Sequence, residues 1–229
     1  SMSMTQEKQK IDLSVYYRPT DRQILAHTVP QPYVLYGGSM GSGKSAWLVN
    51  EGLQLSLDTP QNVGLLVRWE NKTFKTTTLE QMQKFYPSPI IRRHHLSDQY
   101  FELINGSRIL YGGLKSSGST NPIDRLKSME LGWFGVDEAS EIPEELFLLL
   151  CSRVRLNLPG IRYKGLLTSN PEPGWVRRYF IEEITGDRVF IPALPGDNPY
   201  LPKGYLDNLR KIFPEDWIRR YLELSLIHI

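Results

Sequence analysis

The chain has 229 residues, 40% of them hydrophobic and 23% charged, with a formal net charge of +2. That composition suits a globular protein able to bury a core, and excludes a disordered, collagen-like or disulfide-stapled chain. Near-neutrality means that overall electrostatics do not announce a nucleic-acid binder, which leaves local basic patches to be weighed.

One cysteine, Cys151, rules out an intramolecular disulfide and fits a reducing compartment. It ends the apolar run Leu146-Phe147-Leu148-Leu149-Leu150-Cys151, so a buried structural thiol is expected rather than a reactive one. That run is too short to span a bilayer, and no signal peptide opens the chain. The expectation is a soluble cytoplasmic protein with no membrane partner. Ser1-Met2-Ser3-Met4 reads as a tag scar before a native start.

In chain order, residues 1–15 are read as loose, followed by the aromatic pair Tyr16-Tyr17. A short helix is expected from Asp21 to His27, with Thr20 or Asp21 as N-cap. Gln23 in that helix has both a donor and an acceptor to offer a base edge, and Tyr16 or Tyr17 a ring to stack on it. An N-cap with packing aromatics accounts equally well for the same residues.

Tyr33-Val34-Leu35-Tyr36 is an apolar run typical of a buried strand, and it ends in a glycine-dense turn. Gly38-Ser39-Met40-Gly41-Ser42-Gly43-Lys44-Ser45 matches G-x-x-x-x-G-K-[ST] without a mismatch, and a helix-compatible segment follows to about Leu57. Glycines there let consecutive N–H groups point at phosphate oxygens, and the following helix N-terminus adds a favourable dipole. Lys44 is expected to reach the β- and γ-phosphates, and the Ser45 hydroxyl to ligate Mg²⁺. This stretch predicts a nucleoside-triphosphate site.

Asn62 to Val67 reads as a buried parallel strand ended by Arg68, and Lys72 to Phe85 as mostly helical. Tyr100 to Tyr111 is a hairpin around Asn105-Gly106, and a polar glycine- and serine-rich loop follows to Asn121. A short helix or turn is expected over 123–129. The apolar segment 131–136 then delivers Asp137-Glu138 at a strand end. In that context Asp137 would hold Mg²⁺ through water and Glu138 would orient and deprotonate the attacking water.

Pro143 opens a leucine-rich helix that ends near Arg153-Val154-Arg155. Tyr163 to Pro171 reads as a strand ending in small polar residues, 175–184 as an amphipathic helix and 188–191 as a strand. Helices are expected at 206–212 and 214–222. The alternation predicts one α/β domain over 1–229, a P-loop NTPase of the RecA-like (ASCE) type. Its central sheet is largely parallel, with helices on both faces.

The phosphate loop, Arg68, the Asn105-Gly106-Ser107-Arg108 hairpin, Asp137-Glu138-Ala139, Arg153-x-Arg155 and Thr168-Ser169-Asn170-Pro171 occur in one order. That set, with Gln23 upstream, resembles the ATPase half of the large terminase subunit, the DNA-packaging motor of tailed bacteriophages, over about residues 16–222. The loop and acid pair are generic, and the specific part is their combination with the Asn-Gly-Ser hairpin and the Thr-Ser-Asn-Pro strand end. The resemblance implies ATP and Mg²⁺ as cofactors, an adenine contact at Gln23, and a γ-phosphate sensor at Thr168, Ser169 and Asn170 that relays hydrolysis to DNA movement. It also implies double-stranded DNA, a portal protein and the small terminase subunit as partners, in a homo-oligomeric ring of about five subunits in the host cytoplasm. An arginine from one subunit, Arg153 or Arg155, would complete the neighbour's site.

Two departures are visible. The loop carries neutral Ser39-Met40 where many terminases have a basic residue, and Arg68 is a candidate substitute. The chain also stops where the family's nuclease domain would begin, and 225–229 look like a scar, so ATP hydrolysis without DNA cleavage is expected. A helicase-like translocase would need a second nucleotide-binding lobe, and no further motif set follows Asn170. A non-hydrolysing nucleotide-binding scaffold is the other alternative. Arg92-Arg93-His94-His95, Arg177-Arg178 and Arg219-Arg220 are candidate DNA contacts, although such runs are more often solvated faces.

Overall fold

Six of the strands run parallel, because each hydrophobic strand is followed by a segment that packs back on the sheet before the next strand begins. The computed structural model describes residues 12–38, 43–116, 118, 121–170, 172–183, 185–193 and 215. The elements are α1 (Asp21–Thr28), β1 (Tyr33–Gly38), α2 (Lys44–Asp58), β2 (Val63–Arg68), α3 (Asn71–Thr76), α4 (Thr78–Phe85), β3 (Ile91–His95), β4 (Tyr100–Leu103) and β5 (Arg108–Gly113). They continue with α5 (Pro122–Leu126), β6 (Trp133–Val136), α6 (Glu144–Arg153), β7 (Lys164–Ser169), α7 (Trp175–Arg177) and β8 (Arg188–Ala193).

The sheet order is β3-β4-β5-β2-β6-β7-β1-β8, with β3, β4 and β5 joined antiparallel and every other neighbouring pair parallel. The pleat sends alternate residues of β1 to opposite faces: Val34 and Tyr36 join one core with α1, α2 and α4, while Leu35 joins the other with α6 and α7. This is the two-faced, largely parallel sheet expected. β7 lies between β1 and β6, so the three chain segments that follow these strands emerge side by side at one edge of the sheet. In open α/β sheets that edge, outside the carboxyl ends of the strands, is where ligands bind.

Helix α2 anchors the first core. Its Gly52 passes the fully buried Trp133 indole, and Gly64 on β2 does the same, so a Cβ at either position would overlap the ring. Trp133 Nε1 donates to Ser56 Oγ at 3.1 Å. The C-terminus of α2 is capped from a distance by the hairpin turn. Asn105 Nδ2 donates to the Ser56 and Leu57 carbonyls at 2.9 and 3.3 Å, and Ser107 Oγ to the Ser56 and Thr59 carbonyls at 2.8 and 3.0 Å. The Asn-Gly-Ser turn thus satisfies carbonyls that the helix end leaves open. Gly106 takes φ +83°, as the tight turn requires.

Five sequence expectations need correction or qualification. The helix expected over 72–85 is two helices, α3 and α4, broken at Thr77 (φ −126°, ψ −78°). The segment from Trp175 makes only one α turn before widening into a π-helical stretch over Arg178–Glu182. Arg92-Arg93-His94-His95 is an edge strand, β3, with His94 stacked on Phe101 (centroids 3.9 Å apart) and His95 on Tyr100 (5.1 Å). The helices expected at 206–212 and, Glu215 apart, at 214–222 lie outside the described residues, as do Arg219 and Arg220. Cys151, expected to be buried, is half-buried; desolvation of its thiol beside Tyr33 pushes it up to about 11, which disfavours the reactive thiolate. Among the described residues no helix is long and apolar enough to cross a membrane.

Candidate active site

The site is built from the ends of β1, β6 and β7 and the start of α2. Gly38 ends β1, and Gly43, at φ +75°, precedes the first residue of α2. Ser39, Met40, Gly41 and Ser42 lie outside the described residues. Gly43 needs its glycine twice over, for its left-handed backbone and because a Cβ would press on the Gln23 amide.

Lys44 is almost fully buried, and its ammonium donates to Gly38 O at 3.0 Å and to Asn170 Oδ1 at 3.1 Å. Glu138 Oε1 stands 3.5 Å from the same nitrogen. Three residues that the sequence scatters across the chain therefore converge on one cation. Glu138 sits at φ +51° and ψ 62°, a left-handed backbone that costs a non-glycine residue about 1–3 kcal/mol and clusters at functional sites.

Asp137, 1% exposed, is surrounded by hydroxyls. Ser45 Oγ donates to its Oδ2 at 2.9 Å, Thr78 Oγ1 to the same oxygen at 2.7 Å, and Thr168 Oγ1 to Oδ1 at 2.6 Å. Thr168 Oγ1 also accepts the Glu138 N–H at 3.0 Å, so one hydroxyl ties both acids to the end of β7. No group of three histidine, cysteine or acidic residues that could hold a metal occurs among the described residues. One carboxylate and a serine hydroxyl are a hard, all-oxygen donor set. That suits Mg²⁺, which keeps several waters and shares substrate phosphates, and does not suit a softer ion in an all-protein cage.

Gln23 takes the capping role among its two sequence readings. Its Oε1 accepts the Thr20 N–H at 2.8 Å, completing a capping box, and its Nε2 donates to Gly43 O at 2.9 Å. The helix start is thereby fastened to the phosphate loop. Tyr17 is a packing aromatic: its hydroxyl pairs with His27 Nε2 at 3.0 Å and its ring meets Phe85 edge-on.

Arg153 and Arg155 are not at this site. Arg153 O accepts from Leu131 N at 2.8 Å, at the start of β6 and six residues before Asp137, roughly 20 Å away along an extended strand. The Arg153 guanidinium donates to Lys127 O at 2.7 Å, and Arg155 lies 3.6 Å from Glu130. Arg68, by contrast, ends β2 beside the site, with Nε on Glu141 Oε1 and Nη1 on Thr77 Oγ1, both at 3.0 Å. Thr78 is the residue that sequence reasoning missed. The Thr76-Thr77-Thr78 run is visible as a helix start, but nothing local shows that it faces an acid 59 residues away.

A glycine-ended strand, a lysine at a helix start and an acid pair on the strand beyond β7 define a P-loop NTPase fold of the RecA-like type. The family model for the phage terminase large subunit matches residues 31–222, and the chain belongs to that family. Solved structures agree on the fold. The large terminase of a thermophilic bacteriophage superposes with a TM-score of 0.62 at 15% identity, covering 88% of this chain and 52% of that one. The large terminase ATPase domain of Thermus phage P74-26 gives 0.56 at 16% identity, covering 90% and 92%. The bacteriophage Phi-29 genome packaging motor assembly gives 0.50 at 15%, covering 90% and 66%. The chain thus spans about half the length of the thermophilic-phage terminase. No curated protein matches it.

Proposed function

We propose that this chain is the ATPase domain of a DNA-packaging motor, binding ATP with Mg²⁺ and hydrolysing it to drive double-stranded DNA into a procapsid. The observation that carries the reading is the meeting of Lys44, Glu138 and Asn170 beside the hydroxyl-lined Asp137. Supporting it, the thermophilic-phage terminase has been solved with ADP and with ATP-γ-S.

In this reading residues 38–45 cradle the phosphates, the last four in sequence being Ser42, Gly43, Lys44 and Ser45. The bound cation would neutralise charge on the β- and γ-phosphates, held by Ser45 and, through water, Asp137. Lys44, now on Asn170 and Glu138, turns its ammonium to the phosphates when they enter. Glu138 is freed by that exchange to accept a proton from water. Asn170 and Thr168 then report the state of the γ-phosphate to β7. Gln23, whose Oε1 and Nε2 are held by Thr20 and Gly43, would exchange one of these bonds for an adenine edge. The partners in this reading are DNA, the portal protein, the small terminase subunit and further copies of the chain in a ring of about five. The Phi-29 neighbour, described as a packaging motor assembly, supports that direction.

Lys44→Ala tests the assignment. It deletes the charge that compensates the phosphates, so turnover is expected to vanish and nucleotide affinity to fall; wild-type turnover in this variant would overturn the site.

A further inference from the structure

We infer that Thr78 is a positioning residue for the cation at this site, holding Asp137 in the orientation in which it accepts a metal-bound water. The inference rests on the nucleotide reading above. Asp137 is a buried carboxylate with three hydroxyl donors, and they differ in what they are free to do. Ser45 is the residue that a bound cation would claim. Thr168 is shared, since its oxygen also accepts from Glu138 N. Thr78 is fully buried, and its hydroxyl donates to Asp137 Oδ2 at 2.7 Å. Thr168 holds the other oxygen, Oδ1, so among the three donors Thr78 is the one left to keep the direction of Oδ2 when Ser45 turns away.

The broken helix supplies a second line of support. Thr78 is the first residue of α4, and the irregular backbone at Thr77 separates it from α3. Thr77 Oγ1 donates to Thr73 O at 2.7 Å and accepts from Arg68 Nη1 at 3.0 Å, while Arg68 is held by Glu141 just past the acid pair. The break is therefore pinned from β2 and from the segment following β6, and it leaves the next hydroxyl on the acid. Partners that orient a metal-holding carboxylate typically change metal affinity 10–100-fold when removed.

The test titrates Mg²⁺ into the full chain with a fluorescent ADP analogue, following binding, and separately follows ATP turnover. Thr78→Val replaces the hydroxyl by a methyl of similar shape. It is expected to raise the Mg²⁺ concentration for half-maximal response about tenfold or more, while affinity for the analogue without metal stays within about twofold. Thr78→Ser, which restores the hydroxyl, should return the midpoint to within about threefold of wild type. Should the valine chain fail to fold, Thr78→Ala removes the hydroxyl without a methyl against the acid and carries the same expectation. An unchanged Mg²⁺ midpoint in a folded Thr78→Val or Thr78→Ala chain, whatever its melting temperature, overturns this inference alone. A wild-type chain whose nucleotide binding ignores Mg²⁺ overturns the cation site and this inference with it, whereas a wild-type chain that binds no nucleotide overturns the nucleotide reading itself.

Discussion

His94 lies flat against Phe101 and shares a 2.7 Å hydrogen bond with the Tyr111 hydroxyl. Burial holds its imidazole below the usual histidine range. The unfolded chain takes up a proton near pH 6.5, whereas the folded chain resists until lower pH. Below about 6.5 the unfolded state thus binds more protons, and stability falls as pH drops toward the folded value. His94→Phe keeps the ring stack and removes the proton site. Its melting temperature should fall less between pH 7 and pH 5 than that of wild type; an equal fall would place the titrating group elsewhere. At this scale the sequence conveys residue type better than environment. The run 92–95 reads as four basic groups, yet two of its rings are packed in stacks and Arg92 is paired with Glu102 at 3.2 Å.

Between elements, the fit of β2, β6 and α2 depends on the room that Gly52 and Gly64 leave for Trp133. Gly64→Ala should destabilise the protein by about 1–3 kcal/mol through overpacking, and Trp133→Phe in the same chain should recover part of that loss. Denaturant midpoints of the two single variants and the double variant check the coupling; strictly additive losses would mean that the two residues do not compete for space. The parallel strands were legible because burial on both faces makes them continuous apolar runs. The hairpin was legible because Asn-Gly marks its turn, but not that the turn caps α2, since the two are joined only through space. The break at Thr77 was hidden for the same reason. Threonines weakly favour a helix start, and the partners that set the break are Arg68 and Asp137 on distant strands.

For the whole molecule, the phosphate loop and acid pair were readable because their chemistry demands fixed residue types at fixed spacing. The meeting of Lys44 with Asn170, 126 residues apart, depends on strand order and is fixed only by the fold. Arg153 and Arg155 lie at the far end of β6, so any part they play in hydrolysis must be at a neighbouring subunit's site. An arginine acting in this way raises turnover on the order of 10³-fold or more. Wild-type specific activity should then climb with protein concentration or on ring assembly. An Arg153→Ala or Arg155→Ala chain should bind ATP without turning it over. Mixing that chain with Glu138→Gln subunits should restore part of the activity, because the Glu138→Gln subunit supplies the arginine and its neighbour the base. Mixed rings without recovery would remove both residues from this role and make Arg125, exposed on α5, the next to test.

The central claim is that the acid at position 138 turns a bound nucleotide over. Glu138→Gln keeps the shape of the side chain and cannot accept a proton. Compared with wild type at a concentration where wild type is active, it should bind ATP with unchanged affinity. Its phosphate release should be slower by about 10²–10⁴-fold. Phosphate release within about threefold of wild type, at equal affinity, would contradict the assignment.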